Sequence, residues 1–533
     1  MRLSQLLTAL PSITAQLGGA GPNITNITAD SRQVKPGSLF VAVRGDNFNG
    51  HHFIPDAIER GAVAIVAETT YSHTPTPPYL TVSDSRAALG WLAAAWHGFP
   101  SRQLTLIGVT GTDGKTTTAS LIHSILLAAG LRAGLISTVS AVIGDETLDT
   151  GFHVTTPEAL EIQAYLARMV AAGLTHCVLE VTSQGLAQHR VTGCDFDIAV
   201  VTNITHEHLD YHKSYEGYRA AKGRLFESLT TATRKPGVEK VGILNRDDSS
   251  FDYLRSVLNE RCLTYSLRTA ADVRATHIRH APDGLHFQTS ITNYQLPITT
   301  PLVGDYNISN CLAALTATVG ALGLAPEAAQ KGIADFKGVP GRMERIDLGQ
   351  PFTAIVDFAH TPNALRRTLE TARKMLLTAE NAESAENKIS AVKPAGRVIA
   401  VFGSAGLRDV EKRRMMAEIS AELADLTLLT AEDPRTESLD DILEMMAFGA
   451  SSQGGVEGET FFRVPDRAEA IRLAVSLAQP GDIVFACGKG HEQSMCFGTV
   501  EYAWDDRVAM RAALAELLGV PGPEAPRLPT KTV

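Results

Sequence analysis

Residues 109–118 read Val-Thr-Gly-Thr-Asp-Gly-Lys-Thr-Thr-Thr, and their chemistry is that of polyanion binding. Gly111 and Gly114 let the backbone of Gly111, Thr112, Asp113 and Gly114 turn its N–H groups toward phosphate. Lys115 is placed to neutralise β- and γ-phosphate oxygens, the Thr116 hydroxyl to ligate Mg²⁺, and Thr117 follows in the first helical turn. The usual phosphate loop, GxxxxGK-S/T, would need glycine at Val109, and Gly108 falls one residue early. This is a GTxGKT variant. Asp113 is its oddity, an acid among phosphate-holding groups; just ahead of a helix, its carboxylate is expected to cap free N–H groups, where the helix dipole favours an anion.

A second cluster, His206, Glu207, His208, Asp210 and His212, follows the apolar run "DIAVVTNI". The ends of such strands are where open α/β sheets bind ligands. Histidines and carboxylates together there point to a metal or phosphate site. A hard, oxygen-preferring ion suits them better than zinc, since no cysteine is near. Glu180, closing "CVLEV", is expected to face Thr116 as a Mg²⁺ ligand rather than serve in a core ion pair.

These groups need strand ends to hold them. Short apolar, β-branched runs at 104–111, 176–183, 197–204 and 240–248, then at 353–360, 397–404, 426–433 and 482–490, alternate with helical patterns. Strands buried on both faces between helices make mostly parallel α/β sheets. Gly and Pro cluster at Gly338 to Gly341, where a domain junction is expected. A smaller α/β unit precedes residue 103. The predicted domains are 1–102, 103–338 and 339–520, with 521–533 a disordered Pro-rich tail. Residues 377–396, polar and aperiodic, read as a mobile surface insertion.

Composition narrows the function. A net charge of −10 argues against a broad nucleic-acid face. No 18-residue apolar window suggests a membrane span, and the apolar start reads as a first helix rather than a signal peptide. The six cysteines are scattered without a CxxC pair, which fits reduced thiols in a cytoplasmic protein rather than a disulfide framework or zinc site.

At this level the chain resembles the Mur ligase superfamily, most closely the MurE type, the UDP-N-acetylmuramoyl-tripeptide synthetases. The carrying residues run in family order: "TADSRQVKPGSLFVAVRG", "GTDGKTTT", "HVTTPEAL", "LEVTSQGLAQHRV", "TNITHEHLDYHKSYEGYRAAK", "LVGDYNISNCLAAL", "GRMERID", "VDFAHTPNAL", "FGSAGLRDVEKRRM", "EDPRTE" and "GKGHEQ". The resemblance implies a small N-terminal α/β domain for a UDP-sugar, a central P-loop ATPase, and a C-terminal Rossmann-like domain that receives an amino acid and closes over ATP. It also implies ATP-dependent amide ligation in peptidoglycan synthesis: a diamino acid is joined to UDP-MurNAc-L-Ala-D-Glu through an acyl phosphate. The other implied partners are small molecules, with no nucleic acid and no membrane, and a monomer is expected.

Residue by residue, the resemblance gives Lys115, Lys222, His208 and Glu180 catalytic roles. Two Mg²⁺ sites are implied, drawing on Thr116, Glu180, His208 and Lys222. Lys222 is implied to carry a CO₂-derived carbamate (N6-carboxylysine), since a free ammonium would repel the metal. Asn307, Arg342, Asp357 and His360 match nucleotide contacts. Ser31, Thr155, Thr156, Ser183, Gln188 and Arg190 match UDP-sugar peptide contacts. Departures fall at Asp46, Thr182 and Gln184.

Arg408, Glu432, Asp433, Arg435, Gly488 and Glu492 match amino-acid contacts. Diaminopimelate-adding members carry "DNPR" where this chain has Glu432-Asp433-Pro434-Arg435. The retained Arg435 argues for a distal carboxylate. Asp433 in place of Asn pulls toward L-lysine or L-ornithine, because like charges repel. Meso-diaminopimelate keeps a slight lead. The other readings are a folylpolyglutamate synthase-like ligase, which would lack residues 1–100 and carry a different loop; a Mur-like amidotransferase, which would carry a four-cysteine insertion; a P-loop switch ATPase, which needs neither Lys222 nor His208; and a non-catalytic scaffold, against which every expected catalytic position is filled.

Overall fold

The computed structural model describes residues 1–11, 20–45, 49–69, 77–148, 156–205, 209–281, 284–291, 294–386 and 396–530. Contacts divide the chain into two compact units. One holds residues 1–277, 287–299 and 305–336; the other holds 337–533 with the short segments 278–286 and 300–304. The second unit's long segment begins at Lys337, beside the expected junction.

The first unit contains two sheets. Strands Asn26–Thr28, Ser38–Val41, Ala62–Ala67 and Tyr79–Thr81 pair in that order, all parallel. Leu39, Val41, Ala64, Val66 and Leu80 fill one face with Leu3, Leu6 and Leu7 of the helix Leu3–Leu7. The N-terminal segment thus has its own small core.

The larger sheet of the first unit has a parallel centre. Its order there is Arg261–Ser266, Val241–Asn245, Ile198–Val201, Thr105–Thr110, His176–Glu180, Ala133–Ile136. Thr105–Thr110 lies between strands that come later in the chain on either side, which makes its C-terminal end a topological switch point. Leu106, Ile107, Val109, Val178, Leu179, Ala199 and Val200 are wholly buried, as strands covered on both faces require. Antiparallel strands Ala141–Ile143 and Glu146–Leu148 extend one edge. On the opposite edge Val273–Ala281 joins parallel to Arg261–Ser266, and Gly284–Ile291 and Tyr294–Thr300 follow it in order.

The second unit is a six-stranded sheet ordered Glu344–Ile346, Thr353–Asp357, Ile483–Cys487, Val398–Phe402, Leu426–Leu429, Phe461–Arg463, parallel except for the first strand. A separate apolar core covers each face.

Two expectations need correction here. The helix Pro362–Glu386 runs into 377–396, where the sequence predicts a mobile, aperiodic insertion, and takes up residues 377–386. The reason is local: Leu, Ala and Glu dominate that stretch and are strong helix formers even without an apolar stripe. Residues 387–395 lie outside the described residues. The Pro-rich tail is not loose over 521–530. Leu528, only 7% exposed, joins the core of the second unit, and the Thr530 hydroxyl donates to Asp466 Oδ2 at 2.6 Å. Prolines lower the entropy lost on fixing such a segment, so one buried leucine and one hydrogen bond go further than in an ordinary coil.

Candidate active site

The phosphate loop joins strand Thr105–Thr110 to helix Lys115–Ala128. Both glycines are required. Gly111 and Gly114 have φ of 149° and 77°, and a Cβ would collide with Thr202 Oγ1 at the first and Asn310 Oδ1 at the second. The end of the neighbouring strand shapes the loop. Thr112 N donates to Asn203 O at 2.7 Å and Asp113 N to Asn203 Oδ1 at 3.1 Å. The Asp113 carbonyl accepts from Thr202 Oγ1 at 2.6 Å and Asn203 Nδ2 at 3.1 Å.

Asp113 is not the expected cap. The N-cap position is taken by Gly114, which has no side chain to cap with, and Asp113 stands one residue ahead of it. Asp113 contributes through its backbone, so the N–H groups of the first turn keep the orientation that favours an anion. Lys115 Nζ curls back to donate to Thr112 O at 2.8 Å. Thr117 is half-buried in the first turn.

Thr116 and Glu180 are brought together. The Thr116 hydroxyl donates to Glu180 Oε1 at 3.0 Å, while Glu180 Oε2 accepts from the Thr138 amide at 3.0 Å and its hydroxyl at 2.9 Å. Both side chains are buried. A hydroxyl and a carboxylate side by side at a phosphate loop suit a hard cation, so this pair fits Mg²⁺.

Lys222, in helix Tyr215–Thr231, is 1% exposed and points at the loop. Its Nζ donates to Gly111 O at 2.6 Å and lies 4.6 Å from the centre of the Tyr218 ring. A carbamate keeps one N–H on that nitrogen and so could keep the bond to Gly111. Tyr218 OH is 3.0 Å from Thr112 Oγ1, tying the same helix to the loop a second time. His206, Glu207 and His208 lie outside the described residues. Among the described residues no group of three His, Cys, Asp or Glu side chains could hold a metal. His212 meets Ser183 instead, Nε2 to Oγ at 3.0 Å.

Asn307 is buried and linked to the loop through a residue missed in the sequence. Asn310 Nδ2 donates to Asn307 Oδ1 at 2.9 Å, and Asn310 Oδ1 accepts from Thr118 at 3.3 Å. The signal was there: Asn307 and Asn310, three apart, share a helix face.

Thr156, Gln188 and Arg190 form one knot. Arg190 donates to Thr156 O at 2.7 Å and to Gln188 Oε1 at 2.8 Å, and pairs with Glu158 at 3.0 Å. Ser183 opens the short helix Ser183–Ala187 nearby, where Thr182 N bonds Thr156 Oγ1. Ser31 stands in the turn Ser31–Gln33 of the N-terminal segment. Thr155 and Asp46 lie outside the described residues.

In the second unit, Asp357 ends its strand as a clamp. One oxygen accepts from Met343 N at 2.8 Å, the other from Ala359 N at 3.0 Å and Thr368 Oγ1 at 3.1 Å. This fixes the turn carrying Arg342 and the segment carrying His360, whose Nδ1 lies 2.8 Å from Phe358 O.

The amino-acid candidates gather at the ends of Leu426–Leu429 and Ile483–Cys487. Asp433 and Arg435 hold positive φ of 41° and 54°. Asp433 Oδ1 accepts from Lys489 Nζ at 3.0 Å and Cys496 N at 2.9 Å, and Lys489 also meets Glu492 at 2.5 Å. Lys489 was missed, although it stands inside "GKGHE". Burial pulls its pKa down, but Glu492 and Asp433 outweigh burial and hold it above the ordinary lysine value. Glu432 is 5% exposed, its Oε2 has no hydrogen-bond partner, and burial pushes its carboxyl up to about 7. Gly488 must be glycine, since a Cβ would strike Glu432 Oε2. Arg435 is pinned by its backbone to Cys496 and Gly498. Arg408 is exposed on a loop whose Gly406 bonds Asp433 O. The charge argument made for Asp433 from the sequence therefore changes in part, because one buried ammonium, Lys489, is shared between Asp433 and Glu492 and offsets some of their charge.

Comparison with known proteins agrees with this architecture. The chain matches the Mur ligase family catalytic domain over residues 23–97, the Mur ligase middle domain over 109–318, and the Mur ligase glutamate ligase domain over 375–490. It is 43% identical to the UDP-N-acetylmuramyl-tripeptide synthetase of Roseiflexus sp. over 97% of this chain and 99% of that protein. It is 41% identical to the UDP-N-acetylmuramoyl-L-alanyl-D-glutamate–2,6-diaminopimelate ligase of Geobacillus thermodenitrificans, over 97% and 100%. A solved structure of a ligase with the latter name superposes with a TM-score of 0.66 at 30% identity, covering 97% of this chain and all of that one. A folylpolyglutamate synthase of Mycobacterium tuberculosis, at 18% identity and TM-score 0.59 over 82% of this chain and 96% of that one, shares the fold.

A phosphate loop at a switch point, followed by a second doubly wound sheet, here belongs to an ATP-dependent amide-bond ligase. The chain is a member of the Mur ligase family, of the tripeptide-synthetase (MurE) type. No helix among the described residues is long and apolar enough to cross a membrane.

Proposed function

We propose that this enzyme joins meso-diaminopimelate to UDP-MurNAc-L-Ala-D-Glu in peptidoglycan precursor synthesis, as a cytoplasmic monomer. The observation that carries the amino-acid choice is the retained Arg435, with the buried ammonium of Lys489 set against Asp433 two residues before it. Lys489, shared between Asp433 and Glu492, offsets part of the charge that would oppose a substrate carboxylate at Arg435. Relatives named as diaminopimelate ligases support the same choice.

The chemistry follows from what a carboxylate lacks. It is a poor electrophile, so a substrate carboxylate oxygen attacks the γ-phosphorus of ATP and ADP leaves. The amine then attacks the acyl carbon, the C–O bond to phosphate breaks, phosphate departs, and the nitrogen loses its proton. Lys115 and the loop N–H groups hold and orient the phosphates. Thr116 and Glu180 would hold one Mg²⁺, and Lys222 as its carbamate, with His208, a second; bound there, the ions supply neutralisation of phosphate charge. Asn307, Arg342, Asp357 and His360 serve the nucleotide. Ser31, Thr155, Thr156, Ser183, Gln188 and Arg190 serve the sugar peptide.

Phosphate release tests this, with ATP, UDP-MurNAc-L-Ala-D-Glu and, in turn, diaminopimelate, L-lysine, L-ornithine and L-glutamate. Diaminopimelate should give the highest kcat/KM. No release with any of them would refute the ligation, whereas preference for lysine or ornithine would refute only the amino acid.

A further inference from the structure

Asp433 and Arg435 are two residues apart, on either side of Pro434. That spacing can close on itself: Asp30 and Arg32 pair at 2.9 Å, and Asp505 and Arg507 at 2.6 Å. Among the described residues Asp433 pairs with Lys489 instead, and no carboxylate pairs with Arg435. Both residues also hold positive φ, unusual for anything but glycine, and proline presses the residue before it toward extended backbone. Strain of this kind lasts only where its surroundings hold it, and it collects at ligand clamps.

Asp433 is held by side chain and backbone together. Its Oδ1 accepts from the Lys489 ammonium at 3.0 Å and from Cys496 N at 2.9 Å, while its carbonyl accepts from Gly406 N at 2.9 Å. Arg435 is fixed separately, its N donating to Cys496 O at 3.0 Å and its carbonyl accepting from Gly498 N at 2.7 Å. Lys489 is anchored in turn: its Nζ lies 2.5 Å from Glu492 Oε2, and its carbonyl accepts from Glu492 N at 2.9 Å. At 1% exposure this ammonium cannot reach a substrate, so it acts through the carboxylates it holds. Arg435 is half-buried, and its guanidinium is a fork that matches a carboxylate in two parallel bonds.

We infer that Lys489 is a positioning residue for amino-acid selection: by holding the Asp433 carboxylate it stops that group from closing on Arg435, and it leaves the guanidinium to the distal carboxylate of the incoming diamino acid. This rests on the diaminopimelate-ligase reading above. The physical reason is competition. A carboxylate two residues away on the same chain has a high effective concentration at Arg435, so it would outcompete a dissolved one if nothing held it elsewhere. The Lys489 ammonium and the Cys496 N–H hold it elsewhere.

The full-length enzyme tests this through the ratio of kcat/KM for diaminopimelate to that for L-lysine, which lacks the distal carboxylate. Lys489→Met should lower the ratio about 10-fold or more, through a raised KM for diaminopimelate. The KM for ATP should stay within about 3-fold. Asp433→Asn, placed in the Lys489→Met background, removes the competing charge and should restore most of the ratio. A loss of packing or stability alone would not be repaired that way. An unchanged ratio in Lys489→Met, or no recovery in the double variant, would overturn the assignment. If Lys489→Met does not fold, Lys489→Gln takes its place, keeping an N–H donor without the charge. It should show the same loss and the same rescue in smaller degree, and an unchanged ratio there overturns the assignment equally. A wild-type enzyme inert with every amino acid would instead refute the ligase reading, and one that prefers lysine would refute the choice of diaminopimelate.

Discussion

The ammonium of Lys489 lies 3.0 Å from Asp433 Oδ1, and the lysine is 1% exposed. Breaking a buried pair from one side leaves the other charge stranded, which typically costs about 3–5 kcal/mol. Lys489→Met should therefore lower the midpoint of thermal unfolding by many degrees. Asp433→Asn should be mild, because an amide oxygen can still accept from Lys489 and Cys496. It should retain the order of preference among diaminopimelate, lysine and ornithine; reversal of that order in a kcat/KM comparison would show that Asp433 acts as an unpaired charge.

Glu432 gives a pH signature. Its carboxyl is raised from 4.5 to about 7, burial being the main cause. Between those values the folded state holds a proton that the unfolded chain has released, so stability falls as pH rises through this window. The full span is worth about 3 kcal/mol. Glu432→Gln should unfold at a higher temperature than wild type at pH 8, with the gap closing by pH 4.5. A gap constant across pH in calorimetry would contradict this.

Lys222→Ala should reduce kcat by about 10²-fold or more, with ATP analogue binding at the loop retained. Wild-type enzyme equilibrated with ¹³C-bicarbonate should show a carbamate carbon that the variant lacks. Full activity in the variant, or no such signal in the wild type, would remove the carbamate from the chemistry.

Asp113→Asn should leave turnover within about 2-fold, since the backbone of that residue holds the loop. Thr202→Val, which removes the 2.6 Å bond to the Asp113 carbonyl, should weaken nucleotide binding measurably by calorimetric titration.

Leu528→Ala should cost about 2–3 kcal/mol, as for other buried leucines. Denaturant unfolding with an unchanged m-value would register it. No loss would mean that the tail contributes nothing to the core.

The eight apolar runs read from the sequence each became a strand in the parallel part of a sheet, because burial on both faces writes itself as a continuous apolar stretch. Gly284–Ile291 was missed for the converse reason. Its residues alternate between buried and half-buried, and that period of two is invisible to a search for solid runs. The site was legible where one motif carries both the group and its mount, as at Lys115 and Thr116. It was opaque where a contact spans the chain. Thr202 and Asn203 lie about ninety residues from the loop they grip, and Lys489 is 56 residues from Asp433. Nothing local announces either pairing.

The grip of Thr202 and Asn203 on the Asp113 carbonyl has a further consequence for engineering. The loop's shape is stored in a neighbouring strand, so the eight letters of the motif are not a portable module. Transplanting GTDGKTTT alone into a foreign α/β scaffold should yield a floppy segment with weak nucleotide affinity. The smallest transferable cassette is two adjacent strands with their ends, and variation within the loop is permitted to the extent that its backbone still finds those two side chains.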